Sequence, residues 1–341
     1  MNEYPTGLMA FIDRAGWGDA RIEPIPGDAS FRRYFRLRRD GDARRQTAML
    51  MHAPPPEENP EPFLNVARWL GDHGMRAPDI YAEDAERGWI LTEDFGDDRM
   101  REWVDAHPGD EYAAYEAAID ALAQLHQRPA GPFPDYDMAT YIREVELLTE
   151  WFGPANGLDV DRPGFVSAWQ KVLSPMIGRP AEPVTVLRDY HAENIMLLPT
   201  AGANEDRCRA QGLIDFQDAL VGHPAYDLVS LLQDARREVS PQLESSMLQH
   251  YARQVGIDVA AIEGDFGADY ARLGAQRNAK IVGIFTRLAK RDRKPKYLAM
   301  IPRVWNAMER DLAHPALAPV ARWFDDNIPG ELRASGGGAI R

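Results

Sequence analysis

The chain of 341 residues is long enough for two lobes with separate hydrophobic cores. Its formal net charge of −14 argues against nucleic acid as a general partner, and no apolar run approaches the roughly 18 residues of a membrane-spanning helix. Cys208 is the only cysteine, which excludes an intramolecular disulfide, and the amino terminus lacks the pattern of a secretory signal. We therefore expect a cytoplasmic protein that binds neither nucleic acid nor membranes.

The first 97 residues are predicted to form a small lobe built on a β-sheet. Apolar residues at helical spacing (Leu8, Phe11 and Ile12) predict a short leading helix within residues 4–16. The turn sequence of residues 27–30 separates two short strand-like segments, which predicts a β-hairpin. The other predicted elements of this lobe are a strand over Thr47–His52, a helix that contains Phe63 and ends at Gly74, and a strand over Gly88–Gly96.

From about residue 98 the apolar spacing changes from the two-residue period of strands to the period of helices. We place the lobe boundary there, so that residues 1–97 are predicted to be an N-lobe, residues 98–331 a C-lobe and residues 332–341 a flexible tail. The predicted helices of the C-lobe cover residues near 115–126, 139–152, 163–177, 225–237, 241–255, 262–292, 297–313 and 316–327.

The polar residues that say most about function lie among three short predicted strands, two within Val184–Pro199 and one over Gly212–Phe216. Asp189 is followed five residues later by Asn194, and Asp215 lies at the end of the third strand. In phosphotransfer enzymes one Asp orients and deprotonates the attacking hydroxyl, while an Asn and a second Asp hold magnesium against the nucleotide phosphates. The layout predicts phosphoryl transfer with ATP and Mg²⁺, in preference to a turn that Asp189 and Asn194 merely cap.

Three segments resemble motifs of a known family. Leu187-Arg188-Asp189 with Asn194 resembles the pattern H-R-D-x-x-x-x-N, Asp215-Phe216-Gln217 resembles D-F-G, and Gly222–Leu232 resembles the segment that follows it. The chain thus resembles the aminoglycoside phosphotransferase family of small-molecule kinases. The resemblance implies an α+β, bilobal protein-kinase-like fold. Its small antiparallel-sheet N-lobe would cover the nucleotide, and its larger, mainly helical C-lobe would hold the catalytic and substrate-binding residues.

The resemblance also implies roles for individual residues. Asp189 would be the catalytic base, Asn194 and Asp215 the Mg²⁺ ligands, and Asp227 a support of the catalytic loop. The remaining implied contacts are those with the nucleotide: Ser30, Phe31 and Arg32 of the first hairpin at the phosphates, and the hinge residues Thr92, Glu93 and Asp94 at the adenine edge.

One feature of kinases is absent from the predicted N-lobe. Kinases carry a phosphate-binding lysine on the third strand, but the first lysine of this chain is Lys171. Arginine is always cationic and binds phosphate through two N–H groups, so either Arg33 or Arg36 takes the place of that lysine or Mg²⁺ carries more of the charge. Glu58 and Glu61 are candidate partners for such an arginine.

Longer segments are similar to a narrower group, the bacterial anomeric kinases of N-acetylmuramate and N-acetylglucosamine. These segments are GDASFRRYFRL, MLMHAPP, TEDFGDD, LRDYHAENIMLL and GLIDFQDALVGHPAYDLVSLLQDAR. The similarity implies ATP-dependent phosphorylation of the anomeric hydroxyl to a sugar 1-phosphate during peptidoglycan recycling. His191 is a candidate either for contact with the substrate or for stiffening the loop, and Arg277 and Lys280 are candidate cations for the lactyl carboxylate of N-acetylmuramate.

Two other interpretations stay open. An aminoglycoside, choline or homoserine kinase has the same catalytic residues, because the substrate pocket decides which hydroxyl is used. A pseudokinase that only binds nucleotide would explain the missing lysine, although Asp189, Asn194 and Asp215 argue against it. The sequence leaves open the oligomeric state, the choice between ATP and GTP, the preference between the two sugars and the closure of the lobes.

Overall fold

This computed structural model describes residues 4–25, 31–40, 47–177, 183–200, 204–258 and 264–338. The chain forms two compact units. Unit 1 consists of Met1–Asp110 with Glu193–Asp218, and unit 2 of Glu111–Ala192 with Ala219–Arg341. The lobe limits at residues 97 and 331 stay predictions.

The regular elements of the described residues are numbered in chain order. The strands are β1 (Arg21–Ile25), β2 (Arg33–Arg38), β3 (Thr47–His52), β4 (Ile80–Asp84), β5 (Trp89–Glu93), β6 (Val184–Val186), β7 (Ile195–Leu197), β8 (Gln211–Leu213) and β9 (Leu220–Gly222). The helices are α1 (Leu8–Arg14), α2 (Glu61–Asp72), α3 (Met100–Ala106), α4 (Glu111–His126), α5 (Met138–Leu147), α6 (Arg162–Ile177), α7 (Asn204–Arg209), α8 (Ala225–Leu232), α9 (Pro241–Val255), α10 (Asp265–Lys290), α11 (Ile301–Leu312), α12 (Ala318–Asn327) and α13 (Gly330–Ala334).

Unit 1 is built on a five-stranded antiparallel sheet with the strand order β1-β2-β3-β5-β4. Side chains alternate between the two faces of a strand, so apolar residues two positions apart are buried together. On one face Phe35 and Leu37 pack with Phe11 of α1, and on the other Ile90 packs with Leu64 of α2. The predicted hairpin strands, third strand, helix and the strand within Gly88–Gly96 are therefore confirmed, while the predicted turn of residues 27–30 lies outside the described residues.

A second small hairpin, formed by β7 and β8, also belongs to unit 1. Its strands pair antiparallel, with Ile195 opposite Leu213. The N–H of Leu213 donates to the carbonyl of Arg76 at 2.8 Å, which ties the hairpin to the rest of the unit. The strand predicted over Gly212–Phe216 ends earlier, at Leu213, because Asp215 has a φ of 60° that an extended strand does not allow.

Unit 2 packs around α10, a helix of 26 residues. Every residue from Asp269 to Ala279 is buried, which is typical of a helix in the middle of a large core. Helices α5, α8 and α11 contact it directly, and a two-stranded sheet of β6 and β9 completes the unit near the predicted catalytic loop. The buried residues of α10 include acidic, basic and amide side chains: Asp269, Arg272, Gln276, Arg277 and Asn278.

The helices predicted for the C-lobe are present, but two of them differ from the prediction, and helices α3, α7 and α13 were not predicted. The predicted helix 225–237 ends at Leu232, because the side chain of Gln233 turns into the core and donates to Asp311 at 3.0 Å. The predicted helix 139–152 becomes a π-helix from Leu148 to Phe152. None of the helices in the ranges listed above is long and apolar enough to cross a membrane.

Part of the predicted flexible tail is described, as far as residue 338. The last helix, α13, ends inside this segment at Ala334. Arg333 forms ion pairs with Glu309 of α11 and Asp325 of α12. The segment up to Ala334 is therefore packed against its neighbours.

Gly283 lies where α10 approaches the backbone of Leu147. A Cβ atom at this position would overlap the carbonyl group of Leu147, which cannot rotate away because it is backbone. We expect Gly283→Ala to lower the free energy of unfolding by about 1–3 kcal/mol, the usual cost of overpacking a core. Thermal or urea denaturation followed by circular dichroism measures this change.

The control is Gly71→Ala in α2, where a Cβ atom meets nothing within 4 Å. Alanine is a better helix former than glycine by about 1 kcal/mol, so this variant should be as stable as the wild type or more stable. Equal stability of the two variants would contradict the close approach at Gly283.

Candidate active site

The loop after β6 is held through its backbone. The buried carboxylate of Asp227 accepts hydrogen bonds from the N–H groups of Leu187 (2.6 Å) and Arg188 (2.8 Å). The hydroxyl of Ser230 donates to the carbonyl of Arg188 at 2.7 Å. Arg188 has a φ of 70°, a conformation that costs a residue with a side chain about 1–3 kcal/mol. These contacts from α8 therefore hold a strained residue directly before Asp189.

Asp189 is partly buried and lies in positively charged surroundings. Burial raises the pKa of its carboxyl, but the charge of Lys280, with smaller contributions from its other neighbours, outweighs burial and holds this pKa below its ordinary value. Asp189 is therefore ionised at neutral pH. An ionised carboxylate can accept the proton of a hydroxyl that binds beside it, which is the chemistry of a general base.

Lys280, one of the two predicted substrate cations, is paired with a protein carboxylate. Its Nζ lies 2.9 Å from Oε1 of Glu144 on α5, and 3.3 Å from the hydroxyl oxygen of Tyr226. Glu144 also accepts hydrogen bonds from Arg188 and Tyr136. The charge of Lys280 is thus balanced inside unit 2.

Arg277, the other predicted cation, has different surroundings. Its side chain is 3% exposed, and its Nη1 atom has no hydrogen-bond partner among the described residues. Its positive charge favours the ionised forms of Asp189 and Asp227, against the effect of burial on both carboxyls. A buried guanidinium with an unused donor is suited to an anionic ligand, because arginine remains charged and donates in a fixed plane.

His191 is buried two residues after Asp189. Its Nε2 lies 3.2 Å from Nη1 of Arg236. Because arginine can only donate, Nε2 accepts this hydrogen bond. Arg236 thereby fixes the orientation of the predicted substrate contact.

In unit 1, Asn194 and Asp215 lie side by side. The amide of Asn194 donates to Oδ2 of Asp215 at 3.3 Å, and the amide of Gln217 donates to Oδ1 at 2.9 Å. In the ranges that the structure covers, no three His, Cys, Asp or Glu side chains form a metal cage by themselves. Mg²⁺ takes few protein ligands and completes its octahedron with water and phosphate oxygens. The oxygen donors of Asn194 and Asp215 therefore fit a Mg²⁺ ion that is shared with a nucleotide.

Of the residues predicted to cover the nucleotide, Ser30 lies outside the described residues. Phe31 is 70% exposed, and its N–H donates to Oε1 of Glu58 at 3.2 Å. Arg32 donates from Nε to Oε2 of the same carboxylate at 3.1 Å and also hydrogen-bonds Tyr34. Glu58 is thus the partner of an arginine, as the sequence indicates, and that arginine is Arg32.

The two arginines predicted to replace the lysine have other surroundings. Arg33 is exposed. Nε of Arg36 lies 2.7 Å from Asp94, its Nη1 lies 2.7 Å from Asp97, and its Nη2 donates to the carbonyl of Gly96 at 3.1 Å. Arg36 therefore connects β2 to the turn after β5, and two carboxylates balance its charge. These contacts favour neither residue as a phosphate ligand.

The predicted hinge residues lie at and just after the end of β5, and their side chains bind other parts of unit 1. The hydroxyl of Thr92 donates to the carbonyl of Met49 at 3.3 Å. Glu93 forms a two-pronged ion pair with Arg76, with one N–O distance of 2.7 Å, while Asp94 pairs with Arg36. The predicted adenine contact is left to the backbone of this segment.

Sequence reasoning missed Glu144 and Arg236. The available signal for Glu144 is an acid at a buried position of an otherwise apolar face, between Tyr141 and Leu148 at helical spacing. Arg236 carries no comparable signal, because a pair of neighbouring arginines is ordinary on a protein surface.

The chain is similar to proteins of one known family. Residues 21–264 match the family model described as the phosphotransferase enzyme family (APH). Two curated relatives named N-acetylmuramate/N-acetylglucosamine kinase are each 35% identical to the chain. The one from Caulobacter vibrioides aligns over 97% of this chain and 99% of its own length, and the one from Pseudomonas aeruginosa over 94% and 90%.

Among solved structures, a choline/ethanolamine kinase family protein from Mesorhizobium loti superposes with a TM-score of 0.61 at 16% identity. The superposition covers 93% of this chain and 97% of that one, and it confirms the protein-kinase-like α+β fold. The family match spans well over half of the chain and includes the loop of Asp189 and the turn of Asp215. The chain therefore belongs to the phosphotransferase enzyme family.

Proposed function

We propose that this protein transfers the γ-phosphoryl group of ATP to the anomeric hydroxyl of N-acetylmuramate and N-acetylglucosamine, in the cytoplasmic recycling of peptidoglycan. The observation that carries the proposal is the 35% identity, over nearly the whole chain, to proteins named N-acetylmuramate/N-acetylglucosamine kinase. The site residues support it chemically, because they include an ionised carboxylate, oxygen ligands for a metal ion and a buried cation with an unused donor.

In the proposed reaction Asp189 accepts the proton of the anomeric hydroxyl while that oxygen bonds to the γ-phosphorus of ATP. The bond between the γ-phosphorus and the bridging oxygen breaks, which releases ADP and leaves a sugar 1-phosphate. An anomeric hydroxyl is more acidic than an ordinary alcohol, so a carboxylate with a lowered pKa suffices as the base. Mg²⁺, held by Asn194 and Asp215, would neutralise negative charge on the phosphates.

The cation for the lactyl carboxylate of N-acetylmuramate is Arg277 in this proposal. The sequence leaves Arg277 and Lys280 as alternatives, and the pairing of Lys280 with Glu144 favours Arg277. The unused Nη1 of Arg277 supplies a charged donor for a carboxylate oxygen. N-acetylglucosamine has no carboxylate, so this contact would bear on only one of the two sugars.

The cation for the ATP phosphates is Arg32, in the place of the missing lysine. Glu58 orients its guanidinium, and both side chains are largely buried. Burial raises the pKa of Tyr34, and the charges of Arg32 and Asp215 both act on its hydroxyl, with opposite effects on that pKa. Arg32 therefore lies near the carboxylate that would share the metal ion with the phosphates.

The proposed function is tested by measuring ADP release from Mg-ATP with N-acetylmuramate, N-acetylglucosamine, glucose, kanamycin, choline and homoserine. We expect turnover with the two N-acetyl sugars and a product that loses phosphate in mild acid, because anomeric phosphates are acid-labile and 6-phosphates are not. Asp189→Asn is the control. It removes the base with little change of shape, so kcat should fall at least about 100-fold while ATP still binds.

Turnover restricted to kanamycin, choline or homoserine would assign a different acceptor. An acid-stable sugar phosphate would contradict the anomeric position. Tight ATP binding without any turnover would favour a pseudokinase.

The role of Arg32 predicts a nucleotide effect. We expect Arg32→Gln to raise the KM for ATP about tenfold, the value of one charge-assisted hydrogen bond to phosphate, and to leave the KM for the sugar within twofold. Arg33→Gln is the matched control, because Arg33 is adjacent and exposed, and it should leave both constants unchanged. A larger effect at Arg33 than at Arg32 would refute this assignment.

The role of Arg277 predicts a difference between the two sugars. We expect Arg277→Gln to raise the KM for N-acetylmuramate about 10- to 100-fold and the KM for N-acetylglucosamine no more than about threefold, because only the former carries the anion. Arg287→Gln, on the same helix, is the control and should change neither constant. An equal loss with both sugars would show that Arg277 acts on the base and not on a carboxylate of the substrate.

A further inference from the structure

Glu144 forms the centre of a buried polar cluster in unit 2. Glu144 is 7% exposed, and its carboxylate accepts four hydrogen bonds. The donors, all from unit 2, are the hydroxyl of Tyr136, Nη2 of Arg188, Nε2 of Gln276 at 3.3 Å and Nζ of Lys280 at 2.9 Å.

One carboxylate balances two cations in this cluster. Burial raises the pKa of Glu144, but the charges of Lys280 and Arg188 outweigh burial and keep the carboxyl ionised. Removal of one member of such a buried group leaves the opposite charges uncompensated, which costs far more than an exposed pair would. The cluster is therefore held in one arrangement.

The first of the two cations, Arg188, directly precedes the base. Its N–H is fixed by Asp227 and its carbonyl by Ser230, while its side chain is fixed by Glu144. The φ of 70° at this residue is unfavourable in isolation and determines the direction in which the next side chain leaves the loop. The ion pair with Glu144 thus helps to maintain the backbone conformation that aims Asp189.

The second cation, Lys280, acts on Asp189 through its charge. Lys280 is paired with Glu144 at 2.9 Å. If Glu144 lost its charge, this ammonium group would lose its carboxylate partner while its charge still acted on Asp189. An ion pair between Lys280 and Asp189 would compete with the substrate hydroxyl for the base.

We propose that Glu144 is a positioning residue, whose carboxylate holds Arg188 in its left-handed conformation and keeps Lys280 paired away from Asp189. The inference rests on the proposed function in that Asp189 is taken as the base. Glu144 touches neither substrate nor nucleotide in this account. It acts on the rate through Arg188 and Lys280.

The test is Glu144→Gln, which keeps the shape and removes the charge, assayed at a temperature where circular dichroism shows the variant to be folded. We expect kcat to fall about 30-fold or more, and the KM for ATP to stay within twofold, because all four donors to Glu144 lie in unit 2 and Arg32 lies in unit 1. Glu146→Gln, an acid two positions along the same helix and partly exposed, is the control and should keep the wild-type kcat.

A second variant separates positioning from general stability. Adding Lys280→Met to Glu144→Gln removes the cation that would otherwise pair with the base, so kcat should rise at least about fivefold above that of Glu144→Gln alone. A residue that only stabilised the fold would give no such rescue. If Glu144→Gln does not fold, Tyr136→Phe removes a single donor to the carboxylate and should lower kcat about three- to fivefold.

The inference is overturned by a folded Glu144→Gln variant with wild-type kcat, by a double variant without rescue, or, where Tyr136→Phe is used, by an unchanged kcat. An inactive wild-type protein would instead refute the proposed function. The two failures are therefore distinguishable.

Discussion

The conformation of the loop that carries Asp189 depends on one buried carboxylate that accepts two consecutive backbone N–H groups. Asp227 binds Leu187 and Arg188 in this way, and burial raises its pKa to about 7 although both hydrogen bonds favour the ionised form. A side chain of α8 thereby fixes the backbone of the loop after β6, which is not part of a strand or a helix. Because Arg188 is held in a strained conformation, the direction of Asp189 follows from this contact.

Charge compensation organises both units, although the chain carries a net charge of −14. In unit 1 arginines form the internal ion pairs: Arg32 binds Glu58, Arg36 binds Asp94, and Arg76 binds Glu93. A guanidinium can donate to several acceptors in one plane, and an ammonium group does this less well. One arginine can therefore bind a carboxylate of the protein and still offer donors to another group. In unit 2 a single carboxylate, Glu144, balances Arg188 and Lys280.

The sequence was informative about the site where chemistry restricts both residue type and spacing. Asp189, Asn194 and Asp215 could be proposed as site residues because a phosphotransfer site needs a base and oxygen ligands at defined places around short strands. It was uninformative where a contact joins distant parts of the chain. The sequence offered Arg33 or Arg36 for the place of the lysine, and only the structure shows that Glu58 binds Arg32 and that Asp94 and Asp97 bind Arg36.

By itself the sequence indicated the β-rich beginning and helical remainder of the chain, most of its strands and helices, and the phosphotransfer motif, because periodicity and motif spacing are local properties. Strands β4 and β9 and helices α3 and α7 were not predicted. The tertiary structure alone decided the partners of the buried charges. Glu144 lies 136 residues from Lys280 and 44 from Arg188, and neither distance leaves a periodic trace in the sequence. A buried ion pair is selected by packing and by the cost of leaving a charge unpaired, which act only once the helices have come together.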